Sequence, residues 1–372
     1  MSSCQEIDFF FPNSTGAYGQ FICHFYDVFT GFVNEAMSYQ VYISVVCFVI
    51  NVFHLIVLIQ KSMRTSSINV ILAAIAVSDA YSLSVAIKDW AVGYIEEWQW
   101  QDCPQPNSYG YALVSVVMVS LQTFTRRCST WLSFSMALIR FLVVRNPMDT
   151  RFQNLTMPKS ALHSILLIAS PSFLISFFGY FQYEIIGNER LVAENCESNS
   201  TNLEYYSVVS MLFWENDMFF LKTYELIDAM ISKMIPCVLF PIVTFLLIRE
   251  IRKAAAHSRK VSSTREARGS GRSTKLVLYV TITFFVAEFP NGVLQAVYSF
   301  WMSDSFGWSE ISITSTALLS LLLSLNTSTH MIICLLMSSQ YRSTARSIVR
   351  CGRESKSMKT KSSFISVTST TC

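Results

Sequence analysis

Seven stretches of about 20 predominantly apolar residues recur along this chain of 372, at approximately 41–60, 68–94, 108–144, 160–181, 224–248, 274–301 and 313–337. A bilayer core about 30 Å thick takes about 20 apolar residues of helix to cross. A chain that repeats this pattern from end to end is constrained to an all-α membrane protein, a bundle of seven transmembrane helices. Pro171 interrupts the fourth run, yet seven is the count that accounts for the chain. With 52% of residues hydrophobic and 14% charged, the composition is that of a membrane protein rather than of two or three soluble domains. The expected organisation is an N-terminal extracellular segment at 1–40, a seven-helix domain at 41–337, and a cytoplasmic amphipathic helix with a disordered tail at 338–372.

Charge is distributed unevenly between alternate loops. Before the first span stand Glu6, Asp8, Asp27 and Glu35 without Lys or Arg, and the loop after span two adds Glu96, Glu97 and Asp102. The loop after span four carries seven acids against Arg190 and Lys222. The other loops are basic: nine Lys/Arg lie between Arg249 and Lys275, and seven more follow span seven. The positive-inside bias then predicts an extracellular N-terminus and a cytosolic C-terminus. Acids rather than a basic region follow Met1, so no cleaved signal peptide is expected. On the predicted outer side, Asn13 and Asn199 open Asn-Ser-Thr glycosylation sequons. Cys4, Cys23, Cys103 and Cys196 lie on that oxidising side, where disulfides persist. Cys47, Cys128, Cys237 and Cys334 fall inside spans and read as small packed side chains.

Span three is the anomaly. From Arg126 to Pro147 it reads RRCSTWLSFSMALIRFLVVRNP, an apolar run that carries Arg126, Arg127 and Arg140. A charge in hydrocarbon costs roughly 3 kcal/mol or more, so these arginines require partners on other helices. Asp79 in span two carries the same requirement. Asn51, Ser129, Asn326 and His330 are its polar candidates, outlining a mid-bundle cluster that also serves to hold helices together.

The segments NVFHLIVLIQKSMRTSSINVILAAIAVSD, RRCSTWLSFSMALIRFLVVRNPM, FVAEFPNGVLQ and LMSSQYR resemble, in order, those of rhodopsin-like seven-helix receptors. Within these the chain is most similar to nematode Srw-type serpentine receptors, a group akin to FMRFamide and myosuppressin receptors. The resemblance implies a plasma-membrane G-protein-coupled receptor with an outward ligand pocket and a cytoplasmic face for a heterotrimeric G protein. It implies that Asn51 and Asp79 match the helix-one Asn and helix-two Asp, and that Arg140 matches the helix-three Arg that meets the G protein. Pro236 and Pro290 match the prolines of helices five and six, where a missing N–H bends the helix. A bridge between Cys103 and Cys196 is implied too, although four outer cysteines permit three pairings, Cys4–Cys23 among them. Cys103 precedes Arg140 by 37 residues, about 55 Å of helix at 1.5 Å per residue, so it belongs to the preceding loop.

The departures from the family pattern are specific. Ile139, not an acid, precedes Arg140, and span six begins with Arg272 and Lys275. The charge lock that such receptors place on this arginine is thereby called into question. Helix seven reads His330-Met331-Ile332-Ile333-Cys334, so Cys334 stands where a tyrosine is usual. His330 is either a neutral hydrogen-bonding group or a cation paired with Asp79 in place of a sodium ion.

Arg126 and Arg127 lie 14 and 13 residues before Arg140, about 20 Å along a helix, at the depth of a receptor pocket floor. Glu288 is at a similar depth in span six, Gln295 lies two turns further along it, and Glu225 and Asp228 stand on span five above Lys233. Gln122 occupies the position near which amine receptors keep an aspartate. These residues form the candidate ligand set, with an ionic network such as Arg126 or Arg127 with Glu288. Such a network holds the inactive bundle, contacts ligand, or does both. Acidic outer loops and deep carboxylates suit a cationic ligand, and an arginine-bearing amidated peptide is what the resemblance suggests. The alternative is a chemosensory receptor for small environmental molecules. Tyr341, Ala345 and Ile348 recur at near-helical spacing and predict a short eighth helix on the membrane surface, ending at the palmitoylation candidate Cys351. No enzyme motif, metal site, cofactor site or nucleic-acid-binding pattern is present, and no internal repeat of the transporter kind is found.

Overall fold

In hydrocarbon a peptide group finds no water, so long apolar runs settle as helices that satisfy their own backbone. The computed structural model describes residues 10–12, 14, 16–99, 107–189, 203–261, 265–301 and 305–361. Side chains at 95–99, 189, 203, 254–255, 257–281, 283, 337 and 351–361 are outside that description. The principal helices are α1 (Gly16–Ser38), α2 (Gln40–Leu58), α3 (Ser67–Gln99), α4 (Tyr109–Arg145) and α5 (Pro158–Tyr180). A hairpin of β1 (Tyr183–Glu189) and β2 (Leu203–Val209) follows. Then come α6 (Met211–Asp228), a π-helical turn (Ala229–Met234), α7 (Ile235–Val261), α8 (Arg265–Trp301), α9 (Phe306–Thr327), α10 (Thr329–Met337) and α11 (Ser339–Lys361).

Six helical stretches among the described residues are long and apolar enough to cross a membrane: Gln40–Leu58, Ser67–Tyr94, Tyr109–Arg145, Pro158–Tyr180, Met211–Lys253 and Phe306–Leu336. With α8 they make the seven spans expected from the sequence. They close into a ring in which α2 packs on α3, α7 on α8, α8 on α9, and α9 back on α2. The long α4 runs through the middle and touches α3, α5, the π turn and α7. Its arginines therefore face protein on several sides. The fourth span is continuous through Pro171, whose ring points outward, so the proline does not break the helix as its sequence position suggests.

Helix α1 was not foreseen. It precedes the first span after a single turn residue, Tyr39, and packs on α9. Phe11, Ile22, Cys23 and Tyr26 form a small core there with Trp308 and Ile311. The Ser305 hydroxyl donates to the Phe10 carbonyl at 3.0 Å. Helical structure thus begins well before residue 41. Cys23 is disulfide-bonded; Cys4, Cys103, Cys196, Asn13 and Asn199 lie outside the described residues, as does the side chain of Cys351. The antiparallel hairpin pairs Tyr183 with Val209 through Glu189 with Leu203. It lies against α4, with the Tyr205 N–H donating to the Asn107 carbonyl at 3.0 Å.

The π turn has a local cause. In its register the N–H of residue 236 would reach the carbonyl of Ile231, but residue 236 is proline and has no N–H. Trp131 on α4 takes that carbonyl instead, its indole N–H donating at 3.1 Å. The extra residue per turn advances the helix face, so that neighbouring Ser232 and Lys233 both face the bundle interior. Gly292 on α8 permits the close approach of this turn. A Cβ there would lie 2.9 Å from the Lys233 Cβ and 3.2 Å from the Met234 sulfur. Gly292→Val is expected to push α8 off the π turn at a cost of about 1–3 kcal/mol, read as a lower thermal unfolding midpoint in detergent. An unchanged midpoint would refute the close-approach role.

The C-terminal helix differs from expectation in two ways. It extends past Cys351 to Lys361, which shortens the expected tail. Its apolar face also has a protein partner: Tyr341 and Ala345 pack with Val57, Leu58, Met63, Leu72 and Cys334. Tyr341 is fully buried, and its hydroxyl lies 2.8 Å from Nδ1 of the buried His54 on α2. Burial pushes the Tyr341 phenol above the ordinary tyrosine range.

Candidate functional site

Adjacent helical residues point about 100° apart, so Arg126 and Arg127 serve different neighbours. Arg127 is 2% exposed and spends its donors on protein. Its Nε donates to Ser232 Oγ at 2.7 Å. One terminal nitrogen donates to the Ser172 carbonyl at 2.8 Å and to Ser176 Oγ at 3.0 Å. The other forms an ion pair with Asp228. Ser232 in turn donates to Asp228 at 2.6 Å, and Gln295 donates to Asp228 at 3.0 Å and to Glu225 at 2.8 Å. One guanidinium thereby ties α4 to α5 and to the α6–π segment, and Gln295 extends the tie to α8. The partner of Arg127 is Asp228 rather than Glu288.

Arg126 borders a cavity of about 310 Å³, whose wall also includes Arg127, Asp228 and Ser232. Glu225, Lys233, Glu288, Gln295 and Tyr298 share that wall, with Ser312 and Thr316 of α9 opposite. Arg126 and Lys233 both lie within electrostatic reach of Glu288. Gln122 does not join this wall; its amide donates to the Ser82 carbonyl of α3 at 3.1 Å. The sequence carried an unused signal here. Glu288, Asn291, Gln295 and Tyr298 recur at i, i+3, i+7 and i+10, one polar face of an otherwise apolar span. Asn291 is buried at 1% exposure, and its Oδ1 has no partner among the described residues.

A smaller void of about 60 Å³ lies deeper, lined by Asp79, Arg126, Ser129, Glu288, Asn326, Thr327 and His330. Ser129 donates to Asp79 at 2.7 Å. Asn51 reaches Thr327 at 3.1 Å and the Cys47 carbonyl at 2.9 Å, so it ties α2 to α9 rather than meeting Asp79 directly. His330 is buried, and its Nδ1 is unpartnered among the described residues. It shares the void with Asp79 without a hydrogen bond or ion pair to it. Further along α4, Arg140 lines a third void, of about 50 Å³, with His330, Cys334, Phe240 and Thr244. Arg140 makes no ion pair among the described residues, consistent with the missing acid at Ile139. Pro236 is buried beside the π turn, and Pro290 lies inside α8.

Residues 38–352 match the family described as serpentine type 7TM GPCR chemoreceptor Srw. The chain belongs to the Srw family of serpentine seven-helix receptors. Among curated relatives, the G-protein coupled receptor dmsr-1 of Caenorhabditis elegans is 24% identical over 329 residues, covering 76% of this chain and 62% of that protein. The FMRFamide peptide receptor frpr-18 of the same organism is 26% identical over 130 residues, covering 35% of this chain and 29% of that one. The chain thus spans less than two thirds of the length of either relative. In this Srw-family receptor the three voids follow one another along α4, and Arg126 borders two of them.

Proposed function

We propose that this Srw-family chain is a plasma-membrane receptor with its N-terminus outside, activated by an amidated, FMRFamide-like neuropeptide and signalling through a heterotrimeric G protein. The observation that carries the reading is the 310 Å³ cavity with Glu225 and Glu288 in its wall. Two carboxylates set among apolar helices suit a ligand guanidinium or ammonium. Gln295 and Tyr298 offer further polar contacts, and Arg126 supplies a donor for a ligand carbonyl. Arg127 and Asp228 have their polar groups committed to one another and act as the frame of the site. Names of relatives support the peptide class, since one is called an FMRFamide peptide receptor. Activation is then a shift between two packings of α8 about Pro290, relayed past Asp79, Ser129, Asn326, His330 and Cys334 to Arg140. A bridge between Cys103 and Cys196, glycans on Asn13 and Asn199, and a palmitoyl group on Cys351 belong to the same reading.

The test is G-protein activation in cells exposed to a library of amidated peptides. A wild-type response is expected that Arg140→Ala abolishes at unchanged surface level. A charge-assisted hydrogen bond contributes about 1.5–3 kcal/mol, so Glu288→Gln should weaken agonist potency by about 10–100-fold. Silence from every peptide at normal surface expression would reject the peptide reading. It would favour the alternative, a chemosensory receptor for small environmental molecules, in line with the word chemoreceptor in the family description.

A further inference from the structure

Asn291 and Gln295 stand one turn apart on α8, and both line the larger cavity. Residues four apart share one face of a helix, separated by about 6 Å along its axis. Their side-chain carbonyl oxygens, Asn291 Oδ1 and Gln295 Oε1, are buried and accept no hydrogen bond among the described residues. Asn291 is 1% exposed. Chemistry fixes the way Gln295 is turned. Its Nε2 donates to Glu225 and Asp228, and an ionised carboxylate only accepts. The oxygen is therefore the end of the amide left without a partner.

We infer that Asn291 and Gln295 form a paired-acceptor subsite for a ligand's primary carboxamide, each taking one of its two N–H groups. The inference rests on the peptide reading and names the residues that recognise the amidated end. Two hydrogen bonds leaving one nitrogen about 120° apart place their acceptors about 5 Å from each other, a spacing that side chains on successive turns provide. A buried acceptor without a donor destabilises the packing that encloses it. Both oxygens are closed off from the cavity surface in this packing. Pro290 immediately precedes Asn291, and a proline inside a helix is where it bends, so α8 gives way at this point to admit a donor. A carboxamide then relieves two orphaned acceptors at once and favours the displaced α8. An ester of the same shape brings no N–H, and a site built to receive one rejects the analogue that lacks it.

The experiment is G-protein activation in cells carrying the full-length receptor, with Phe-Met-Arg-Phe-amide and the most potent amidated peptide of the library as probes. Each probe is also made as its N-methylamide and its methyl ester, which share a shape and differ by one N–H. On the wild type, potency should fall from amide to N-methylamide to ester, by about 10–100-fold from first to last. Asn291→Leu should shrink that ratio to a few-fold by weakening the amide and sparing the ester. Asn291→Asp, which keeps an acceptor, should retain the preference. Amide and ester of equal potency on the wild type, or a ratio that Asn291→Leu leaves unmoved, would overturn the inference while the peptide reading stands. Silence from every amidated peptide would instead overturn the peptide reading, and the inference with it. Should Asn291→Leu not reach the surface, the wild type decides: an N-methylamide no more potent than the ester overturns the inference equally.

Discussion

Arg127→Ala is expected to cost about 3–5 kcal/mol, the usual penalty for removing one partner of a buried ion pair. Little folded receptor should reach the cell surface. The size of the effect follows from the economy of the network. This one side chain bonds Ser232, Ser172, Ser176 and Asp228, so its loss leaves acceptors on three helical segments without their donor. Ser232 and Gln295 would still donate to Asp228, which solvates the carboxylate in part but leaves its charge unbalanced. Removing both charges should therefore be milder than removing one. Arg127→Met/Asp228→Leu is expected to recover a large share of the stability, because buried pairs replaced by apolar groups of similar volume are often neutral. Surface labelling and thermal unfolding of the three proteins give the answer. A double variant no better than Arg127→Ala would show that the serine contacts, not the ion pair, hold these helices.

Tyr341→Ala should also be severe. Truncating a large buried aromatic side chain costs about 3–5 kcal/mol, and here the His54 ring would lose the one hydrogen bond it makes among the described residues. Tyr341→Phe keeps the ring and removes only the hydroxyl, so about 1–3 kcal/mol is expected for the orphaned imidazole nitrogen. The readout is release of α11 from α2, measured as faster proteolysis within Ser339–Lys361 and a lower unfolding midpoint. Equal behaviour of both variants would assign the whole effect to the hydrogen bond. If neither variant changed the protease sensitivity, α11 would be held by the membrane surface rather than by α2.

Polar groups do two kinds of work in this bundle. Arg127, Asp228 and Ser232 also border the cavity, but their polar groups are bonded to one another. Arg126, Glu288 and Lys233 border the same cavity without such mutual hydrogen bonds and have charge to offer. The distinction turns on one residue of helical phase between Arg126 and Arg127. It explains why a single apolar helix carries adjacent arginines with different duties.

Much of the architecture was legible in the amino-acid sequence. Hydrocarbon thickness sets the length of a span, so seven apolar runs meant seven helices, and the cost of a lone charge meant that Arg127 and Asp79 had to find partners. Asp79 with Ser129 was among the pairings anticipated. Other features depended on three-dimensional facts that no local pattern carries. Which acid Arg127 meets depends on the rotation of α4 against the α6–π segment, and that rotation is set by a π turn whose cause, Pro236 with Trp131, involves two helices. The burial of Tyr341 depends on α11 docking beside α2, which surface-helix spacing cannot distinguish from lying on lipid. The position of Arg126 between Glu288 and Asp79 likewise appears only when α3, α4 and α8 are assembled. Sequence alone determined the number of spans and the need for buried countercharges, because both are costs of entering hydrocarbon. Only the tertiary structure decided which charge meets which, because partner choice depends on helix phase and packing.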